Sequence, residues 1–221
     1  HLEQRGFERI EYDENANTWT VWDQVGTQYT FGESSESRLR YPRYGSSGTG
    51  CPYSETTWKW GLTQVKNPSG KALAYTYTKD TKQVTVNPCN LSETRPVDLA
   101  LYPSTIDYPH SRYRVVFVKE SRSDYPAQWW SSPTRTVFFQ RYRLNEVQMQ
   151  HNAGQGWMTV RSYDLSYASA IYPEFTWDLG GTSFAISAIA QEGVNAASRP
   201  ATVFEYDEMH LLSVDNGQGG V

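Results

Sequence analysis

The stretch Leu62 to Tyr77, LTQVKNPSGKALAYTY, constrains the fold of this chain more than any other. Apolar Leu62 and Val65 lead into Asn67-Pro68-Ser69-Gly70, and the return arm alternates as Leu73, Tyr75 and Tyr77. Asn and Pro open a turn, and Gly supplies a positive φ where a side chain would clash. The segment therefore predicts a β-hairpin. Its frame returns near the end as Leu211-x-x-Val214-x-Asn216-x-x-Gly219, matching position for position. A looser copy lies upstream, where Val21-x-Asp23-x-x-Gly26 precedes Tyr29-x-Phe31. The recurrence points to a repeated hairpin unit.

The rest of the chain also reads as strand. Aromatic residues make up 14% of its 221 residues, with 16 Tyr and 8 Trp, and such side chains fill a pleated, half-buried surface well. Strands are predicted at 7–12, 18–22, 27–31, 83–86, 105–108, 113–119, 136–140, 144–150, 158–162, 164–167 and 201–206. Gly26 bends one hairpin, Pro109-His110-Ser111 makes a turn, and Asn152-Ala-Gly154-Gln-Gly156 closes another hairpin. The segment 182–191 fits a strand with a bulge or a short helical turn, and Gly180-Gly181 and Gly193 at its ends favour strand. From Gly32 to Thr57 the rhythm breaks into Ser, Gly and Arg, which predicts a long surface excursion tethered at Cys51. The length fits one large all-β domain or two small ones. No stretch poor in aromatics marks a boundary, so a single continuous antiparallel sheet over 1–221 is preferred, with a β-sandwich as the alternative.

Charge and chemistry narrow the function classes. A net charge of −4, a pI near 5.6 and the lack of a dense Lys/Arg cluster argue against a nucleic-acid partner. No segment approaches the roughly 20 apolar residues of a membrane-spanning helix, and the start, His1-Leu-Glu-Gln-Arg, lacks a signal-peptide layout. His1, His110, His151 and His210 are scattered without metal-ligand spacing. Acidic residues concentrate at turns, as turn chemistry alone predicts, and nothing singles out a glycosidase pair. No Gly-x-Ser-x-Gly elbow occurs, and Gly45-Ser-Ser-Gly48-Thr-Gly50 lacks the ending of a phosphate loop. The expectation is no catalytic residue, no metal and no cofactor.

Cys51 and Cys89 flank the central hairpin, each beside a proline. A disulfide between them would close a loop of about 38 residues and stabilise it by about 3 to 4 kcal/mol; two inert thiols are the other reading. Asn90-Leu-Ser92 fits a glycosylation sequon by a pattern that arises readily by chance. Among the tryptophans, Trp58 and Trp60 should share a strand face and Trp19 and Trp22 should not. Such rings either fill a sheet poor in aliphatic residues or meet a ligand or partner, and Trp129-Trp130, set between prolines, is the best candidate for contact.

The hairpin spacing resembles the YD repeats of the RHS family, whose unit pairs an Asp/Asn-x-x-Gly turn with a Tyr-x-Tyr strand. The run Tyr113-Arg-Val-Val-Phe117, Arg122-Ser-Asp124-Tyr-Pro126, Arg143-Leu144-x-x-Val147, Val160-Arg-Ser-Tyr163-Asp-Leu165-Ser-Tyr167 and His210 to Gly220 extend the likeness. Their order is similar to the amino-terminal side of RHS-repeat proteins, near the virulence-plasmid-B-like and toxin-complex B-component proteins. The resemblance implies a sheet spiralling into a shell that encloses or presents a carboxy-terminal effector segment. In that shell Tyr29, Tyr75, Tyr77, Tyr163 and Tyr167 would pack one face. It implies a secreted or surface-located bacterial protein whose partner is the remainder of its own longer chain. The family's self-cleaving aspartates lie in a motif this sequence lacks. The Leu211 copy runs out before its equivalents of Tyr75 and Tyr77, so a longer parent chain is expected. The alternative function is a carbohydrate-binding, adhesive or filament-forming module using exposed Trp and Tyr.

Overall fold

A computed structural model describes residues 9–44, 53–86, 93–122, 140–171, 182–194, 197–207 and 210–215. Within them lie fourteen strands: β1 (Arg9–Asp13), β2 (Thr18–Trp22), β3 (Gln28–Phe31), β4 (Arg38–Tyr44), β5 (Tyr53–Trp60), β6 (Leu62–Lys66), β7 (Ala72–Val86), β8 (Glu93–Asp107), β9 (Tyr113–Ser121), β10 (Tyr142–Asn152), β11 (Trp157–Ile171), β12 (Thr182–Gly193), β13 (Ser198–Asp207) and β14 (His210–Asp215). Twelve form one sheet in the order β1-β2-β3-β6-β7-β8-β9-β10-β11-β12-β13-β14, and β4 and β5 form a separate ribbon. The chain divides into two compact units, 1–111 with 130–139 and 112–129 with 140–221. The first contains β1 to β8 and the second β9 to β14.

The turns that join neighbouring strands explain the meander. At Asn67 the backbone N–H donates to the Lys71 carbonyl and Gly70 donates back to Asn67, both at 2.9 Å. The Asn67 side-chain oxygen accepts from the Lys71 N–H at 2.9 Å. Asp23 does the same with Thr27, whose N–H reaches its carboxylate at 2.8 Å, while its own N–H donates to the Thr27 carbonyl and Gly26 donates back to it, both at 3.1 Å. Gly26 and Gly70 hold φ of +82° and +85°, a region closed to most L-residues at no cost only to glycine. The looser upstream copy of the frame is thus the same turn. In the second unit Asn152 receives the Gly154 N–H at 2.8 Å at the hairpin foreseen between β10 and β11.

Several expectations need correcting. The segment 32–57 is not a plain excursion: it carries a 3-10 turn at Ser35–Ser37, capped by Ser34, and most of the β4–β5 ribbon. Strand β7 is one 15-residue strand rather than a hairpin arm followed by 83–86: the register shifts after Thr76 and Asp80 leave their extra residues, Ser104 and Leu99, on β8, so β7 runs through them unbroken. Strand β8 begins at Glu93 and runs through Pro96 and Pro103, residues that disfavour strand in a sequence reading. The two segments 158–162 and 164–167 are one strand, β11. The 182–191 segment is strand, with shifts where it meets β11 and β13. Of the expected strand at 136–140, Gln140 is not in a strand and the rest lies outside the described residues.

Among the described residues the buried apolar side chains are Leu39, Val84, Val97, Leu99 and Ala100, all from β4, β7 and β8. The ribbon therefore makes the core of the first unit by laying β4 against β8. An ion pair secures it. Asp98 and Lys79, each 5% exposed, meet at 3.1 Å, the Arg40 N–H donates to the same Asp98 oxygen at 2.9 Å, and the Lys79 ammonium donates to the Ser35 carbonyl at 3.2 Å. Two insertion points are closed alike, by Gly32 N–H to Gly61 carbonyl at 2.9 Å and by Arg122 N–H to Arg141 carbonyl at 3.0 Å.

Two outcomes follow from this architecture. Asp98→Ala strands a buried ammonium and should lower the unfolding free energy by about 3 to 5 kcal/mol in urea denaturation; a loss under about 1 kcal/mol would mean that the pair does not hold the ribbon. Burial is the largest single effect and pushes the Asp23 carboxyl up, but the hydrogen bonds from Thr27, Tyr29 and Val25 together outweigh it and hold the group below the ordinary aspartate range. Its contribution is present above about pH 4 and lost as pH falls through the lower folded value. Asp23→Asn, which supplies the side chain Asn67 already uses, should show a smaller drop in thermal midpoint between about pH 4 and 2 than the parent; parallel curves would contradict the assignment.

Candidate functional site

The residues that define the repeat come together in the first unit. Leu62 and Val65 lie on β6, Asn67 and Gly70 in the turn, and Tyr75 and Tyr77 half-buried on β7. The Tyr77 hydroxyl donates to the Leu62 carbonyl at 2.9 Å, and its ring lies over Gly61, where a Cβ would come within 2.7 Å of Cζ. Burial and then the neighbouring Tyr75 push this phenol above the usual tyrosine range, against the opposing effect of its bond to Leu62. Tyr29 closes over its own turn, donating to the Asp23 carboxylate at 3.2 Å. In the later copy Leu211 and Val214 lie on β14, whereas Asn216 and Gly219 fall outside the described residues.

The second unit carries a tyrosine in a comparable role. Tyr167, half-buried on β11, donates its hydroxyl to the Leu144 carbonyl. The Arg143 guanidinium sits 4.2 Å over its ring and bonds Glu120 at 2.6 Å. Burial raises the Tyr167 phenol above the usual range, with Arg143 opposing and Glu120 adding to the shift. Both phenols are therefore neutral donors well past neutral pH, and what they contribute to stability is lost only as pH rises through their elevated values. Tyr163 is also half-buried on β11.

The described tryptophans are engaged with the fold. Trp19 packs on Tyr12 with ring centroids 4.7 Å apart and edge-on to Trp60 at 6.0 Å. The Trp60 indole N–H donates to both oxygens of Asn17 at 3.0 Å. Trp22 lies under Arg9 at 4.8 Å, and β2 pairs without a register shift on either side, so Trp19 and Trp22 take opposite faces. Trp157 lies under Arg114 at 4.2 Å. Trp58 and Trp60 do not simply share a face: Trp58 is the extra residue of a bulge between Thr57 and Lys59 and is 40% exposed. Trp129, Trp130, Cys51, Cys89 and Asn90 lie outside the described residues.

Sequence reasoning missed the Lys79–Asp98 pair. The signal was present: Lys79 continues the inward set Leu73, Tyr75, Tyr77, and a charge on an inward position needs a buried partner. His110 sits in the predicted turn at φ +73°, and His151 stacks on Tyr113 at 4.8 Å. Among the described residues no group of three or more His, Cys, Asp or Glu side chains is arranged to hold a metal ion, and no helix is long and apolar enough to cross a membrane. What the described side chains assemble is a mechanical site, in which paired turns, tyrosine hydroxyls on backbone carbonyls and a pinned ribbon fix strand register.

Searches of the sequence against protein-family models and curated proteins return no match. Solved structures do match in fold. The N-terminal domain of effector protein SpvB from Salmonella typhimurium strain LT2 aligns with a TM-score of 0.54 at 14% identity, covering 88% of this chain and 68% of that one. A chain of the TcdB2-TccC3-Cdc42 crystal structure aligns with a TM-score of 0.53 at 16% identity, covering 90% of this chain and 11% of that one. The present chain thus has an all-β fold in common with the N-terminal domain of an effector protein and with a small part of a much larger polypeptide.

Proposed function

We propose that this chain is a non-catalytic, toxin-related β scaffold: a wall segment of a longer secreted or surface RHS-like protein that encloses or presents a carboxy-terminal effector. The observation that carries the reading is the fold likeness, in which nearly the whole chain aligns with a small part of a far larger polypeptide and with a domain of an effector protein. The site's geometry is in keeping with it, because hydroxyl-capped carbonyls and Asx-closed turns confer rigidity and register and require no ligand. The partners implied are the remainder of its own chain and a partner protein. The adhesive, glycan-binding alternative draws less support, since Trp19, Trp60, Trp22 and Trp157 are committed to aromatic or arginine contacts within the fold.

The test is mass spectrometry of the native polypeptide, combined with limited proteolysis. The expected result is a chain that extends through further Tyr-x-Tyr strands into an unrelated segment, which resists protease while the wall is intact. A native chain ending close to Val221, or an effector segment digested as fast inside the wall as free of it, would overturn the proposal.

A further inference from the structure

We infer that the two units are built on one four-strand repeat, in which a single tyrosine hydroxyl, Tyr77 in the first and Tyr167 in the second, sets the strand register. The repeat is β3-β6-β7-β8 in one unit and β9-β10-β11-β12 in the other. Its second strand carries Leu62-Thr-Gln-Val65 or Leu144-Asn-Glu-Val147. Against the first strand, Leu62 pairs with Phe31 and Gln64 with Thr30, leaving Thr63 as an extra, bulged residue. In the second unit Leu144 pairs with Lys119 and Glu146 with Val118, leaving Asn145 as the extra residue. The backbone of β14 bulges at the same place, with Leu211 opposite Tyr206, Ser213 opposite Glu205, and Leu212 extra.

The third strand carries the tyrosine at an equivalent point. The ladder from β6 to β7 ends at Gln64 opposite Ala74, and that from β10 to β11 ends at Glu146 opposite Asp164. Two further steps along each strand reach Leu62 facing Thr76, and Leu144 facing Ser166. In both units the next residue is the tyrosine whose hydroxyl takes that leucine's carbonyl. In both, its ring covers the residue before the leucine, Gly61 or Arg143. The fourth strand then bulges beside it: Thr76 and Tyr77 face Thr105 and Pro103, with Ser104 extra, and Ser166 and Tyr167 face Ala188 and Ile186, with Ser187 extra.

A bulge ends regular pairing and leaves the next register open. A slip of one residue would turn the tyrosine to the other face of the sheet, so its bond to the leucine carbonyl forms in one register only. The inference does not depend on what, if anything, such a sheet encloses.

The test uses the whole chain and hydrogen exchange read by mass spectrometry. Tyr77→Phe should speed exchange of the β6 and β7 amides about tenfold, the loss of one hydrogen bond, while leaving β10 and β11 unchanged; Tyr167→Phe should do the reverse. Tyr75→Phe, on the same face of β7, is the control and should leave both hairpins at the parent's rates. Register is read separately by cysteine pairs under mild oxidation. Gln64→Cys with Ala74→Cys should crosslink in the parent, and the slipped pair Gln64→Cys with Tyr75→Cys should crosslink only when Tyr77→Phe is added. A slipped pair that stays silent in that background, parent-like exchange in either tyrosine variant, or equal effects of Tyr75→Phe and Tyr77→Phe would overturn the inference.

Discussion

The Asp98 carboxylate is the point on which the first unit depends. A lone sheet has two faces and little interior, and among the described residues this unit buries its apolar side chains where the β4–β5 ribbon meets β8 and the neighbouring β7. That crossing buries a backbone N–H, that of Arg40, and the ammonium of Lys79. One carboxylate answers both, accepting from the Arg40 N–H and from Lys79. Lys79 in turn reaches carbonyls of Ser35 and Arg38 at the ribbon's base. The pair is useful less for its net energy, since burying charge is costly, than for the single ribbon position that satisfies every group in it.

Register is handled by a different economy. Long antiparallel strands accumulate twist, and bulges at defined places relieve it while bending the strand. Each bulge also creates an ambiguity of one residue, which the hydrophobic pattern resolves poorly where both faces are half-exposed, as on much of β10 and β11. Side chains that recognise the backbone itself remove that ambiguity. Thr63, buried beside its bulge, donates to the Thr30 carbonyl at 3.0 Å, and the tyrosine hydroxyls act one strand further on.

How much of this was legible in the sequence varies with the range of the interaction. The Asn67–Gly70 and Asp23–Gly26 turns are local chemistry and could be read directly, as could the alternation of Leu73, Tyr75 and Tyr77. The ribbon could not: Arg38, Arg40 and Arg43 look like loop residues, and only the partner Asp98, 58 positions beyond Arg40, makes the segment a strand with Leu39 turned inward. Pro96 and Pro103 hid β8 in the same way. The common unit was half visible, because Leu62-x-x-Val65 is followed by Asn67 whereas Leu144-x-x-Val147 is followed by Asn152. The arms of the second hairpin are longer, so a frame defined by spacing along the chain misses what pairing across strands preserves.

The closed bases of the two insertion points carry a consequence for how such a chain can diversify. At Gly32–Gly61 and Arg122–Arg141 a backbone hydrogen bond completes the sheet before the chain departs and after it returns. Whatever lies between is tethered at both ends by the ladder, and lengthening a tethered loop costs only about 0.6 kcal/mol per doubling of its length. New surface can therefore accumulate at these two points by insertion, at the first of them beyond the ribbon that the core requires, while the strands on either side keep their partners.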